Sequence, residues 1–513
     1  MTGSVCVIGA GPGATCLVER ICANASEMIG WRPLDIHVVD ASSAGRGAGG
    51  PESRPPGVRV HVHSARAVDL AGRRVLLDDG TSVDADAVVL AQHHVDVVAT
   101  PEELERLGFA RRNSLYYRPT GYAGNLPLDH VPGGQPVLVR GLGTVFADVL
   151  AQLTTGRGGR FRRDRDGELT YVPGGREPLI HAGSRRGVPS RARIDYDLRG
   201  DHPPAPRFVT ALAADRPYDF RREVWPLVAK DLAFAYYHEI LTAHPERARM
   251  RWADFAEAYA PEEWEGKAMR ALIRRAVPRF EDRLNLARFD RPLAGMRFGD
   301  LPGLQRWMHG YLAADLSRRA DPAHSADLAM IYGLRGVLDV LAGRVPQDPW
   351  FQGFADHAGG GLPAARLAEL RALGRAGIVT FLGTDTRVEP HETGTWRATG
   401  TTVPGPLTAL GLIEARRPEP SVSRTRDPLV KRLYARGECS EEAGLLKVRL
   451  PDRRIVDHAG AAHPRRFAFG PWTTGGGGTT LPRGLDAALI RHADALARTL
   501  LAETLTPTVA KVA

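Results

Sequence analysis

The stretch "SVCVIGAGPGATCLVERICAN", Ser4 to Asn24, decides the fold. An apolar run suited to a buried strand ends in Gly9-Ala10-Gly11-Pro12-Gly13, and apolar residues at helix spacing come next. In such a turn Gly9 permits the tight bend and Gly11 lets the backbone approach a pyrophosphate. Ala14 takes the third position, where a small residue lets helix and strand pack closely. Gly13 lies in the same first helical turn, whose free N–H groups face an anion. A second strand, "LDIHVVD", ends on Asp40, an acid placed to accept hydrogen bonds from a ribose diol. The spacing from Gly9 to Asp40 is longer than usual, which a longer first helix explains. The plain alternative is an ordinary strand–helix–strand unit closed by glycines.

A third strand is expected at "ADAVVLAQHH", after a hairpin at "DDGTSVDA". His93 and His94 at its end either face a cofactor or close a loop.

A second turn of the same outline stands at "QPVLVRGLGTVFADVLAQL", Gln135 to Leu153. Gly141 and Gly143 match the first two glycines. Phe146 holds the third position, where the pattern wants a small residue, and its ring would push helix and strand apart unless Ala147 takes that role. Further on, "EPLIHAGSRRGVP" gives a strand leading into Ser184-Arg185-Arg186-Gly187. In a second dinucleotide unit this is the place of the adenosine ribose. Arginines there suit a 2′-phosphate through charge-assisted hydrogen bonds, where an acid would read a free diol. The first turn therefore predicts an FAD site and the second an NADPH site. The alternative for the arginines is a surface pair on a loop.

The chain ends in "RRFAFGPWTTGGGGTTLPRGLDAALIRHADALARTLL". A strand ends at Gly470, a Thr/Gly loop runs from Thr473 and Thr474 to Thr480, and an amphipathic helix is expected from about Arg483 to Leu501. Glycines there permit close backbone approach, and the helix would turn its positive end toward the flavin. On composition alone the loop reads as flexible.

These pieces resemble the actinobacterial FAD/NAD(P)-binding protein family, which is related to the flavin-dependent amine and amino-acid N-hydroxylating monooxygenases. The residues that carry the resemblance are "VIGAGPGA", "VLVRGLGTVFADVLAQL", "GGRF", "HAGSRRGVP" and "RRFAFGPWTTGGGGTTLPRGLD". The resemblance implies oxidation of the amino group of a free amino acid, aspartate among them. It also exposes a departure: relatives usually carry a long segment after the second strand, and here the segment after Asp40 is short. A middle domain or a second subunit, as in a homo-oligomer, would then supply the missing wall, or the site holds FAD weakly.

Composition fits a globular protein of two or three domains: 513 residues, 43% apolar and 25% charged. The formal charge of +9 comes from arginines scattered among acids. A nucleic-acid binder more often shows a long basic run, and the nearest one, "RGGRFRRDRDG", reads as an exposed turn. No apolar run is long enough to span a membrane, and the opening strand leaves no room for a signal peptide. Cys6, Cys16, Cys22 and Cys439 form no CxxC pair, which disfavours disulfide reductases and fits a reducing cytoplasm. His238-Glu239 does not continue to HExxH, and no GxSxG occurs, so neither zinc nor serine hydrolysis is supported.

The expected fold is α/β, with two dinucleotide-binding, Rossmann-like domains of the two-dinucleotide flavoprotein type and a large helical insertion. The divisions are 1–130 and 431–513 for the FAD domain, 131–206 and 374–430 for the NAD(P)H domain, and 207–373 for the helical part, read as the substrate domain, with a hinge at "HAGGGLP". Tyr236, Tyr237 and His238 are adjacent on a helix there and cannot all face one pocket. The arginines of "RRAVPRFEDRLNLARFDRPLAGMRFGD" are available to clamp a substrate carboxylate. The expected activity is FAD-dependent, NADPH-using N-hydroxylation of a small, acidic amino acid. The flavin carries that chemistry, so no catalytic side chain and no metal is named. The alternatives are a reductase or dehydrogenase without oxygen chemistry, and a non-catalytic nucleotide-binding protein with a relic flavin site.

Overall fold

The computed structural model describes residues 2–41, 55–92, 95–121, 128–165, 167–213, 216–342, 344–345, 348–359, 361–474 and 487–505. The chain divides into two compact units. Met1–Val98, Pro418–Gly478 and Gly484–Ala513 form the first; Ala99–Arg417 and Thr479–Arg483 form the second.

The first unit is built on β1 (Gly3–Ile8), α1 (Pro12–Met28), β2 (Leu34–Val39), β3 (Val58–His63) and β4 (Ala87–Leu90). Parallel pairing places β1 between β2 and β4, with β3 outside β2. A central parallel strand is covered on both faces, which is why Val5–Ile8 is continuously apolar and buried. The faces alternate. Val5 and Val7 join the core of α1 and the C-terminal helix Ala487–Leu505, while Cys6 and Ile8 join the core on the other side. The return strand Ala462–Ala468 pairs in parallel with β4, so the chain's end completes the sheet that its start began. An antiparallel hairpin, Val448–Arg449 and Arg454–Val456, extends that edge. The strand β3 was not expected. Its residues, VRVHVH, alternate apolar and polar and so read as a surface segment, which is the signature of a sheet edge.

In the second unit, β5 (Pro136–Arg140), α2 (Thr144–Leu153), β6 (Leu179–Gly183), β7 (Val379–Phe381) and β8 (Gly411–Glu414) form the second dinucleotide fold. With the strand Tyr116–Arg118, they make a five-stranded, wholly parallel sheet in the order β7, β6, β5, β8, Tyr116–Arg118. Tyr116–Arg118 pairs with β8 and so belongs to this second sheet.

The helical region connects two neighbouring parallel strands, β6 and β7. At its centre α3 (Trp225–Ala243) packs on α4 (Ala326–Leu341). Every residue of α3 from Val228 to Leu241 is buried, as expected of a helix apolar almost all round. Its ionisable groups are spent on neighbouring backbone: Lys230 donates to Ala260 O, and Asp231 accepts from the N–H groups of Arg207, Phe208 and Val209. The aromatic trio is structural. Tyr236 donates to Asp282 O, Tyr237 accepts from Leu284 N–H, and His238 meets the Trp252 ring edge-on. The expected hinge is not a free loop. Helix α5 (Pro349–Gly359) runs through His357, and Leu362 bridges Ala192 with backbone hydrogen bonds to Arg191 and Arg193.

Candidate functional site: two glycine turns and an arginine loop

At the first turn Gly9 has φ +115°, and a Cβ there would stand 2.7 Å from Ala91 O, so only glycine closes the bend against the end of β4. Gly11 is the extended N-cap of α1, which has neither a side-chain cap nor an acid in its first turn. Its first N–H groups and the positive end of its dipole are thus left for an external anion. A Cβ at Gly13 would meet Phe469 at 3.4 Å, and Ala14 is buried with Ala91 and Phe469 in one core. Asp40 stands over this turn: its Oδ2 accepts the Ala10 N–H at 2.8 Å.

The second turn repeats the plan. Gly141 has φ +120°, and a Cβ there would run into the carbonyl of Ala415 after β8. Gly143 caps α2, again with no side-chain cap and no first-turn acid. Its nearest neighbour in the Cβ direction is Ser190 Oγ at 3.8 Å. Phe146 does not force helix and strand apart. It is fully buried in the core that the sheet shares with α2 and the helices Leu301–Ala320 and Ala364–Arg375, while Ala147 is half-buried at the edge of that core.

The loop after β6 carries the arginines. Ser184 Oγ accepts the Gly187 N–H at 2.9 Å, and Gly187 takes φ +74° against the Gly383–Thr384 backbone. Arg186 is held: its Nε and Nη2 donate to Asp290 Oδ1 at 2.8 and 2.6 Å. Trp350 Nε1 takes the other oxygen of Asp290 at 3.1 Å. Arg185 is exposed and meets no carboxylate among the described residues. Crowding by neighbouring chain, then the charge of Arg186, holds its pKa below the ordinary arginine value; Arg291 and Arg221 add to this, and Asp290 opposes it.

On the return strand Gly470 has φ +139°, with Gln92 O 3.2 Å from a notional Cβ. Thr473 is buried and donates to Gly470 O; Thr474 accepts the Val448 N–H at 3.0 Å. Both hydroxyls therefore shape the end of this strand. His93, His94, the segment 42–54 after Asp40 and the glycine-rich residues 475–480 lie outside the described residues.

Sequence reasoning missed Asp290, Trp350, Arg221 and Gly353, which surround the arginine loop from far along the chain. In the Arg-rich stretch Arg291 pairs with Asp385, Arg283 donates to Val277 O, and Arg274, Arg275 and Arg288 are exposed. Among the described residues the most buried arginine is Arg319, 2% exposed, between Asp315 and Asp327 at 3.9 Å each. Among the described residues no cluster of His, Cys, Asp or Glu could hold a metal, and no helix is long and apolar enough to cross a membrane.

A family model described as FAD-NAD(P)-binding matches residues 6–53, a span that holds the first turn, α1 and β2. A nitrosuccinic acid synthase from Aspergillus oryzae is 30% identical over 97% of this chain and 92% of its own. An L-aspartate N-monooxygenase (nitrosuccinate-forming) from Streptomyces cremeus is 34% identical over 89% of this chain and 74% of its own. The chain belongs to this family of nitrosuccinate-forming N-monooxygenases. A third member, from Streptomyces davaonensis, is 29% identical over 98% of this chain and 97% of its own. That alignment runs over 640 residues against 513 here, so the relative carries segments this chain lacks. Among solved structures, the reduced ornithine hydroxylase of Pseudomonas aeruginosa covers 98% of this chain and 100% of its own, at 10% identity and a TM-score of 0.40. The resemblance drawn from the motifs thus holds, and as a member of this family the chain is a flavin-dependent oxidoreductase that uses FAD and a nicotinamide dinucleotide.

Proposed function

We propose that this chain is an NADPH-using monooxygenase that oxidises the amino nitrogen of L-aspartate or a similarly small acidic amino acid. The observation that carries the reading is similarity running almost the full length of two chains named for that chemistry. Two uncapped glycine-turn helices, one in each unit, support it. Gly9, Gly11, Gly13, Ala14 and Asp40 hold FAD, with the backbone at Gly470, Thr473 and Thr474 closing the site from the return strand. Gly141, Gly143, Ser184, Arg185 and Arg186 form the coenzyme site, Arg186 through the position it gives the loop. Bound flavin, reduced by the nicotinamide, supplies the oxygen-activating chemistry. The protein's own part is to bind, orient and exclude water, so no acid–base dyad is needed. The cysteines form no disulfide among the described residues, which suits a reducing cytoplasm.

The test begins with an absorbance spectrum of the purified protein, which shows bound flavin. NADPH consumption rises with aspartate or glutamate and not with lysine or ornithine, and hydroxylamine, oxime, nitroso or nitro products appear by mass spectrometry. Preference for cationic amines, or NADPH oxidation without any oxidised substrate nitrogen, overturns the reading.

A further inference from the structure

The arginine loop presents a puzzle of charge. The guanidinium groups of Arg186, Arg221 and Arg291 all lie close enough to bear on that of Arg185. Two carboxylates bond them directly, Asp290 to Arg186 and Asp385 to Arg291 at 2.7 Å, and the charge of Asp356 on α5 also reaches Arg186. Arg185 and Arg221 are exposed and have no carboxylate partner among the described residues. They converge on one face of α5. Trp350, in its first turn, carries the Arg221 guanidinium over its ring, Cζ 3.5 Å from the centroid. Gly353, three residues on and so on the same face, lies beneath the arginine pair. A Cβ there would be 3.3 Å from Arg185 Nη2 and 3.7 Å from Arg186 Nη1 and Nη2. Asp290 joins the two halves, since one of its oxygens accepts from Arg186 and the other from Trp350.

We infer that the helical region supplies a coenzyme-selecting residue, Arg221, which with Arg185 reads the 2′-phosphate of NADPH over the Trp350–Gly353 face of α5. Arg186 is a positioning residue: tied to Asp290, it fixes the loop so that the neighbouring guanidinium stays free. Arg221 is fixed in turn by lying on the Trp350 ring. Two planar forks, neither bonded to a carboxylate among the described residues, match a phosphate monoester dianion. The inference rests on the reading that this loop faces the coenzyme. The same cations would also suit the substrate's carboxylates, and the test separates the two.

The probes are 2′,5′-ADP and 5′-AMP, which differ by the 2′-phosphate and need neither flavin nor turnover to bind. They are titrated calorimetrically into the full-length protein and its variants. Arg221→Ala and Arg185→Ala each weaken 2′,5′-ADP by about tenfold or more and leave 5′-AMP unchanged. Arg222→Ala, whose exposed side chain lies beside Asp219, changes neither. Gly353→Glu places a carboxylate among the arginines and weakens 2′,5′-ADP without lowering the melting temperature, because flexible side-chain ends are what yield to it. If Arg221→Ala binds 2′,5′-ADP like the wild type, or loses both nucleotides equally, the assignment is overturned. It is also overturned if that variant raises KM for aspartate while 2′,5′-ADP is unaffected, since the arginines then clamp substrate. A protein that lacks flavin or oxidises no amine contradicts the proposed function but leaves this nucleotide result standing.

Discussion

Asp40 accepts the backbone N–H of Ala10 through Oδ2 at 2.8 Å, so the acid at the end of the second strand also braces the turn at the end of the first. Under the proposed cofactor assignment, one carboxylate thereby couples the shape of the pyrophosphate turn to the position offered to a ribose. Asp40→Ala removes a charge-assisted hydrogen bond worth roughly 1.5–3 kcal/mol, a 10–150-fold loss in FAD affinity. Asp40→Asn keeps an acceptor for Ala10 and retains most of the flavin. Flavin content after gel filtration measures both. Equal retention by wild type and Asp40→Ala would mean that the acid braces nothing the cofactor feels.

The two glycine turns lie in separate units, so their losses separate. At Gly9 an added methyl meets Ala91 O at 2.7 Å on a backbone at φ +115°, and at Gly141 it meets the Ala415 carbonyl at φ +120°. Gly9→Ala yields protein without flavin. Gly141→Ala yields yellow protein whose flavin is no longer reduced by NADPH but is still reduced by dithionite. Loss of flavin in the Gly141 variant contradicts the assignment of cofactors to turns.

Both turns were legible in the sequence because they are local: strand, glycines and helix are contiguous. What lay beyond reach was non-local. Phe146 looked like a misfit because sequence spacing cannot show that the core beside α2 has room for its ring. Arg185 and Arg186 looked like equals, and only the fold brings Asp290, 104 residues away, onto one of them. The strand β3 was hidden by its histidines. His37 and His63, on adjacent strands, hydrogen-bond at 3.0 Å, yet in sequence they mimic a polar loop.

Glu414, at the end of β8, has no solvent exposure and receives three arginines. Arg140 Nε donates at 2.8 Å, Arg416 Nε at 3.1 Å and Arg106 Nη1 at 3.2 Å. Removing the buried anion that joins them leaves cations uncompensated, which costs about 3–5 kcal/mol for a buried pair. Glu414→Gln therefore lowers the urea midpoint of the second unit, with loss of the coenzyme turn that β8 braces through Ala415. A midpoint within experimental error of the wild type would show that desolvation had cancelled the pairs.

Asp327 gives the helical region a dependence on acid. Burial by itself would raise its carboxyl pKa. The Arg318 fork, Nε to Oδ2 at 2.7 Å and Nη2 to Oδ1 at 2.8 Å, outweighs burial with help from Arg319 and Arg191, and the pKa falls to about 2. An unfolded aspartate titrates near 3.9. The native state thus binds its proton less readily than the unfolded chain does, and the group contributes stability that is full above about pH 4 and drains away as pH falls toward 2. The contribution is roughly 2 kcal/mol. In urea titrations at fixed pH, the wild type loses stability across this window more steeply than Asp327→Asn. The variant is less stable at neutral pH, because Arg318 is left without its anion, and the two curves approach each other at low pH. Parallel curves from pH 5 to 2 would show that Asp327 is not the group whose titration the fold feels.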